Sequence, residues 1–166
     1  MNNAGLNAAA MPNAKEEDYD AVLDTNLKGV FFLSQMMGRY MVDNKIKGNI
    51  LNIASSSSLR PAVSAYTVSK WGVRGLTLGL AKALAKYGIT VNGVAPGPTA
   101  HHMRGLPDSE NLNYKKIPLG RYVHPEEIAN TAVFLVSGMG RAILGDIVYV
   151  TGGAAVLSYD DIGYGF

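Results

Sequence analysis

Apolar residues recur at three- and four-residue steps between Pro12 and Asn44: Tyr19, Val22, Leu23, Leu27, Val30, Phe31, Leu33, Met36, Met37, Tyr40 and Met41 keep helical spacing. Asn13, with Glu16 three residues later, has the form of a capping box at the start of that helix. The pattern then changes. Gly48 to Ser55 (GNILNIAS) is short, apolar and β-branched, bounded by glycine and by serines, which predicts a buried strand. Helical spacing returns from Ser64 to Tyr87, with Gly88 after Lys82 and Lys86 marking its end. Thr90 to Ala95 (TVNGVA) predicts a second strand, closed by Pro96, Gly97 and Pro98. His101 to Lys116 is polar and irregular. Pro125 to Ser137 opens with proline and two acids, as a first helical turn does, and Asp146 to Thr151 (DIVYVT) predicts a last strand before Gly152 and Gly153. Helices alternating with apolar strands predict βαβ units, an α/β fold whose parallel sheet is covered on both faces.

Composition narrows the partners. With 166 residues, 48% hydrophobic and 17% charged, the chain can bury one core and is short for two ordinary domains. The net charge of +2 is scattered, with Lys45/Lys47 and Lys115/Lys116 the largest clusters, so no basic stripe points to nucleic acid and a small-molecule partner is expected. The absence of cysteine excludes disulfides, thiolate nucleophiles and cysteine-based zinc sites, and agrees with a reducing cytoplasm. The opening MNNAGLNAAAMPN lacks a basic region and a long apolar run, and no segment approaches the roughly 18 apolar residues of a membrane helix. A soluble, cytoplasmic protein without a membrane partner is expected. His101 and His102 lack a carboxylate or third histidine at ligand spacing, so no metal is expected there. The stretch from Ser158 to Phe166, rich in glycine and tyrosine, docks on a partner subunit or frays.

The chemistry gathers around SAYTVSKWGV. Tyr66 and Lys70 stand one helical turn apart, on one face, where an ammonium favours the phenolate and fits the tyrosine for general acid and base work. NIASSSS leaves Ser55 at the C-terminal end of a strand, where ligand sites of such sheets form, with Ser56, Ser57 and Ser58 as rivals. NNAG at Asn2 to Gly5 and DTNLKG around Asn26 put asparagine where a helix face does not need it, and Pro96-Gly97 follows the next strand. In this order and spacing, from Asn2 to about Gly153, these motifs resemble the short-chain dehydrogenase/reductase family.

That resemblance implies a partial Rossmann-like, doubly wound parallel sheet, with residues 1–166 forming a single incomplete NAD(P)-binding domain, the C-terminal part of a longer enzyme. It implies a catalytic set of Asn26, Ser55, Tyr66 and Lys70. Tyr66 would exchange a proton with an alcohol or carbonyl substrate while hydride passes to or from the nicotinamide of NAD or NADP. Ser55 would orient and stabilise the substrate oxygen, Lys70 would also hold the nicotinamide ribose, and Asn26 would position a water. Asn3, Ala4 and Gly5 would line the adenosine side, with Pro96, Gly97 and Thr99 as further cofactor contacts. The complete form would be a homo-oligomer, a dimer or tetramer, joined through the Ser64 to Tyr87 helix, the long helix before it and the last strand. The other reading is a catalytically inactive fragment that keeps only this association surface.

Two departures stand out. His101 occupies the place, five beyond Pro96, where many relatives have threonine, and Thr99 is the nearest threonine. The family's glycine-rich T-G-x-x-x-G-x-G turn is missing: Thr151-Gly152-Gly153 is followed by Val156 and Ser158 where glycines belong, and GMGRAILG lacks its next glycine. The isolated chain is therefore expected to be poorly stable and to bind cofactor weakly, and the choice between NAD and NADP is unreadable. The loop from Thr99 to Ile117, with Met103, Leu106, Leu112 and Tyr114, either covers the substrate or anchors itself to the core.

Overall fold

Strands β1 (Gly48–Ile53), β2 (Ile89–Pro96) and β3 (Ile147–Val150) lie side by side in that order, both pairs parallel. The structure is a computed structural model and describes residues 1–100 and 113–158. Gly48 faces Ile89 and Ile53 faces Val94 in the first pair, and Gly93 faces Ile147 in the second. The helices are α1 (Glu16–Leu23), α2 (Gly29–Asp43), α3 (Ala65–Leu84) and α4 (Pro125–Val136).

Period-two alternation sorts neighbouring strand residues onto opposite faces. Ile50, Ile89 and Val91 pack with Met41, Ala81 and Leu84, while Ala54, Ala95 and Ile147 pack with Val30 and Val73, so α2 and α3 cover one face. Leu51 and Val94 pack with Leu135 of α4, joined by Ile53, Val148 and Val150, on the other. Burial on both sides explains why the strands read as unbroken apolar runs, and the expected α/β arrangement holds. The two buried strand asparagines are satisfied: Asn52 donates to Thr77 Oγ1 at 2.9 Å and Asn92 to the Ile143 carbonyl at 2.7 Å. Beside β1, Asn2 N–H donates to Leu51 O at 2.9 Å and Asn2 O accepts from Ile53 N–H at 3.0 Å. Asn2 thus pairs in parallel with Asn52, on the side of β1 away from β2.

The long first helix differs from its expected form. Its N-cap is Lys15, with no side-chain cap, and Asn13 instead donates its N–H to Ala10 O in a turn. Glu16, Glu17 and Asp18 crowd the first turn, where the helix dipole favours acids, so the start needs no capping side chain. Between α1 and α2 the coil widens into a π turn, Asp24–Lys28. Of the apolar stripe only Val22, Val30 and Met41 are buried, while Phe31, Leu33, Met36, Met37 and Tyr40 face outwards. Ser34 and Gly38 occupy buried positions of α2, and a Cβ at Gly38 would lie 3.2 Å from Leu84 Cδ1, so small residues set how closely this helix approaches α3.

Ser64 caps α3 by accepting the Thr67 N–H at 3.2 Å, and a short 3-10 turn leads to Gly88, whose φ of 73° is the left-handed conformation that ends the helix. α4 starts at Pro125 as expected, with His124 as its N-cap.

Candidate active site

Because the sheet is parallel, β1, β2 and β3 all end at one edge, and Ser55, Pro96-Gly97 and Thr151 follow them there. Lys70, only 5% exposed, donates from Nζ to Ile53 O at 2.9 Å, which ties α3 to the last residue of β1. The same ammonium lies 5.6 Å from the centroid of the Tyr66 ring, so the i, i+4 pair meets as its spacing predicts. Burial lowers the Lys70 pKa from 10.5 to about 8.

Asn26 sits in the π turn and is fully buried. Its Oδ1 accepts from Leu6 N–H at 2.7 Å, while its Nδ2 donates to Leu6 O at 2.9 Å and to Ser69 Oγ at 3.2 Å. Ser69 Oγ in turn donates to Tyr66 O at 2.7 Å. A Cβ placed on Gly5 would stand 3.7 Å from Asn26 Oδ1 and 4.0 Å from Lys70 Nζ. The NNAG segment, the π turn and α3 therefore converge on one point. A π turn re-aims a side chain that regular helical spacing would carry elsewhere, and such turns often mark functional sites.

Ser55 leaves β1 in extended conformation, and its Oγ accepts the Ser57 N–H at 3.1 Å, capping the short 3-10 turn Ser56–Leu59. It makes no direct hydrogen bond to Tyr66 among the described residues. Of its rivals, Ser58 donates to Ser55 O at 2.8 Å and approaches Tyr149 Oη at 3.3 Å, which commits it to the scaffold.

Asn3, Ala4 and Gly5 are exposed along the sheet margin. Gly97 is demanded by space: a Cβ there would come within 2.6 Å of Thr151 Cα. Thr99 Oγ1 donates to Gly97 O at 2.9 Å, turning inward on its own loop. Tyr114 stacks on Tyr122 with centroids 4.5 Å apart, and Ile117 is 2% exposed, so this end of the loop is anchored to the core. His101, His102, Met103, Leu106 and Leu112 lie outside the described residues, as does the chain beyond Ser158. Among the described residues no group of three acidic or histidine side chains could hold a metal, and no helix is long and apolar enough to cross a membrane.

Sequence reasoning missed Ser69 and Leu6, the two links that join Asn26 to the rest. Ser69 was findable as the residue beside Lys70 on the inward side of α3, whereas Leu6 acts only through its backbone.

A family model described as enoyl-(acyl carrier protein) reductase matches residues 1–155. The chain belongs to the short-chain dehydrogenase/reductase family. Within this family it is 39% identical over 161 residues to the 3-oxoacyl-[acyl-carrier-protein] reductase FabG of Thermotoga maritima, covering 94% of this chain and 65% of that protein. It is 36% identical to gluconate 5-dehydrogenase of Gluconobacter oxydans, covering 94% of this chain and 63% of that protein. The crystal structure of a gluconate 5-dehydrogenase from Burkholderia cenocepacia in complex with NADP and tartrate superposes with a TM-score of 0.81 at 34% identity, over 92% of this chain and 62% of that one. The family's Rossmann-type sheet is thus the fold seen here, and the chain spans about 65% of the length of the first of these relatives.

Proposed function

We propose that the protein carrying this chain is an oxidoreductase that moves hydride between NAD or NADP and an alcohol or ketone, with Tyr66 as general acid and base. The observation that supports this best is the convergence of Gly5, Asn26 and Lys70 on one point beside Tyr66, at the C-terminal edge of the sheet. The nicotinamide cofactor supplies the hydride chemistry.

The residues present fit such a cofactor: Lys70, a buried cation, would hold the nicotinamide ribose, the Pro96-Gly97-Thr99 loop would lie beside the nicotinamide, and the exposed Asn3, Ala4 and Gly5 would line the adenosine side. Tyr66 gives its proton to the carbonyl oxygen of a substrate as charge builds there, or takes it from the hydroxyl in the reverse direction. The positive charge of Lys70 favours the phenolate that this leaves behind, and with a pKa of about 8 it holds that charge at neutral pH. Ser55 gives a second hydrogen bond to the same oxygen, since its Oγ accepts from Ser57 and leaves its own hydrogen to donate. Asn26 holds the Tyr66 turn through Ser69 and positions water on its way to Lys70.

The same reading makes the complete protein a cytoplasmic homo-oligomer, a dimer or tetramer. Support comes from the outward apolar face of α2 and α3, where Phe31, Gly38, Leu76 and Leu80 border a groove of about 220 Å³. The missing phosphate turn favours a second reading, in which this chain alone is silent and keeps only that face.

In the protein as its source makes it, Tyr66→Phe abolishes NAD(P)-dependent turnover and leaves nucleotide affinity within about twofold, as expected of a proton donor with no share in ground-state binding. Retained turnover would remove Tyr66 from the acid role. NAD(P)-dependent turnover by the protein as its source makes it separates the two readings, because the second expects none.

A further inference from the structure

We infer that Arg121 and Glu127 are positioning residues for the loop after β2, the loop on which the functional reading above places Pro96, Gly97 and Thr99 beside the nicotinamide. The inference rests on that reading. Glu127, in the first turn of α4, accepts from Arg121 Nη1 at 2.9 Å and Nη2 at 2.8 Å, a two-pronged contact between a planar guanidinium and a carboxylate. Glu127 Oε2 also accepts the His124 N–H at 2.8 Å, and Arg121 Nη1 donates to Tyr122 O at 2.9 Å, so both ends of the pair are locked to backbone.

From there the chain of hydrogen bonds runs to the loop. Val123 N–H donates to Pro98 O at 3.0 Å and Val123 O accepts from Ala100 N–H at 3.0 Å, which lays Thr99 parallel to Val123. On the far side the same unit is tied to the end of β3: Gly97 N–H donates to Val150 O and Leu119 N–H to Gly152 O, each at 2.9 Å. The loop is therefore held between α4 and β3, and Arg121 with Glu127 forms the α4 anchor.

Half-exposed ion pairs of this kind (34% and 40% exposed) add little to stability, so their effect here is geometric. The Arg121 guanidinium and the His124 N–H hold the Glu127 carboxyl down at about 2, which keeps it ionised across any working pH.

The test takes the protein as its source makes it and compares Glu127→Gln, Arg121→Met, Arg121→Lys and the Gln/Met double variant. Two quantities are read: KM for the nicotinamide nucleotide against kcat, and hydrogen exchange at the Ala100 and Val123 amides. We expect each single variant to raise KM about fivefold with kcat within about twofold, as uniform binding loss does. Exchange at both amides should quicken about tenfold as the local opening becomes easier. The double variant should be no worse than either single one, and Arg121→Lys should behave like Arg121→Met because an ammonium cannot replace the fork. Faster exchange with an unchanged KM, additive losses, or a lysine variant equal to the parent would each overturn the inference. A parent protein without nucleotide-dependent turnover would fail the functional reading itself, and the inference with it, and shows this before any variant is made.

Discussion

Towards the sheet, α3 carries Thr67, Ser69, Lys70 and Thr77 buried beside Val73 and Ala81; away from it, α3 exposes Val68, Trp71 and Leu78, and α2 exposes Phe32, Leu33, Met36 and Tyr40. A helix of an ordinary single-chain core has these roles the other way round. The inward polar groups are each satisfied: Thr77 Oγ1 donates to Val73 O and accepts from Asn52, Ser69 donates to Tyr66 O, and Lys70 donates to Ile53 O. The hydroxyls cost little in place and a great deal if their partners are removed, whereas the buried Lys70 ammonium carries a desolvation cost even with its partner. Trp71 Nε1 donates to Arg60 O at 2.8 Å, whereas Val68, Leu78, Phe32, Leu33, Met36 and Tyr40 are each at least 40% exposed. Met36 is 59% exposed, and exposed apolar side chains of this kind are what the homo-oligomer proposed above would cover. On the function proposed above, polarity on the inside would carry chemistry and alignment, and apolarity on the outside would carry assembly.

The comparison breaks most readily on its inner side. Asn26→Ala would strand Leu6 N–H and O and leave Ser69 without its donor, a loss of about 2–4 kcal/mol in urea unfolding, with turnover falling alongside. A change below about 0.5 kcal/mol would mean that the π turn is held by packing alone.

Next in size is a pH effect on Lys70. Its folded pKa of about 8 lies below the usual 10.5, so between those values the unfolded chain binds more protons and stability rises with pH, by up to about 3 kcal/mol. Lys70→Met flattens that rise, and a slope that survives the substitution would place its source elsewhere.

The outer side should respond differently. Met36→Glu changes intrinsic stability by less than about 0.5 kcal/mol, because an exposed side chain leaves no cavity, yet in the homo-oligomer proposed above it shifts the equilibrium towards monomer in sedimentation. Unchanged assembly would move the association surface off α2.

Much of this was legible. The strands of six and eight residues announced themselves as apolar runs because both of their faces are buried, and Gly88 and Pro125 punctuated α3 and α4 through backbone chemistry that needs no neighbours. Tyr66 and Lys70 were readable as a pair because helical spacing alone brings i and i+4 together. The stripe on α2 misled, since periodicity reports that a helix has an apolar face and not what covers it. The capping box at Asn13 misled as well, because Asn13 was already engaged in a turn with Ala10.

Local sequence, then, determined the α/β order of elements, the end of α3, the start of α4 and the meeting of Tyr66 with Lys70, all of which depend on forces acting within a few residues. Tertiary structure alone decided that Asn26 turns inward on a π turn to reach Leu6 and Ser69, and that Gly97 must give way to Thr151. It alone decided that Arg121 meets Glu127 behind the loop after β2. Such contacts join residues that are distant in sequence or depend on an irregular turn, so their geometry is set only when strands and helices pack, and no periodicity along the chain records it.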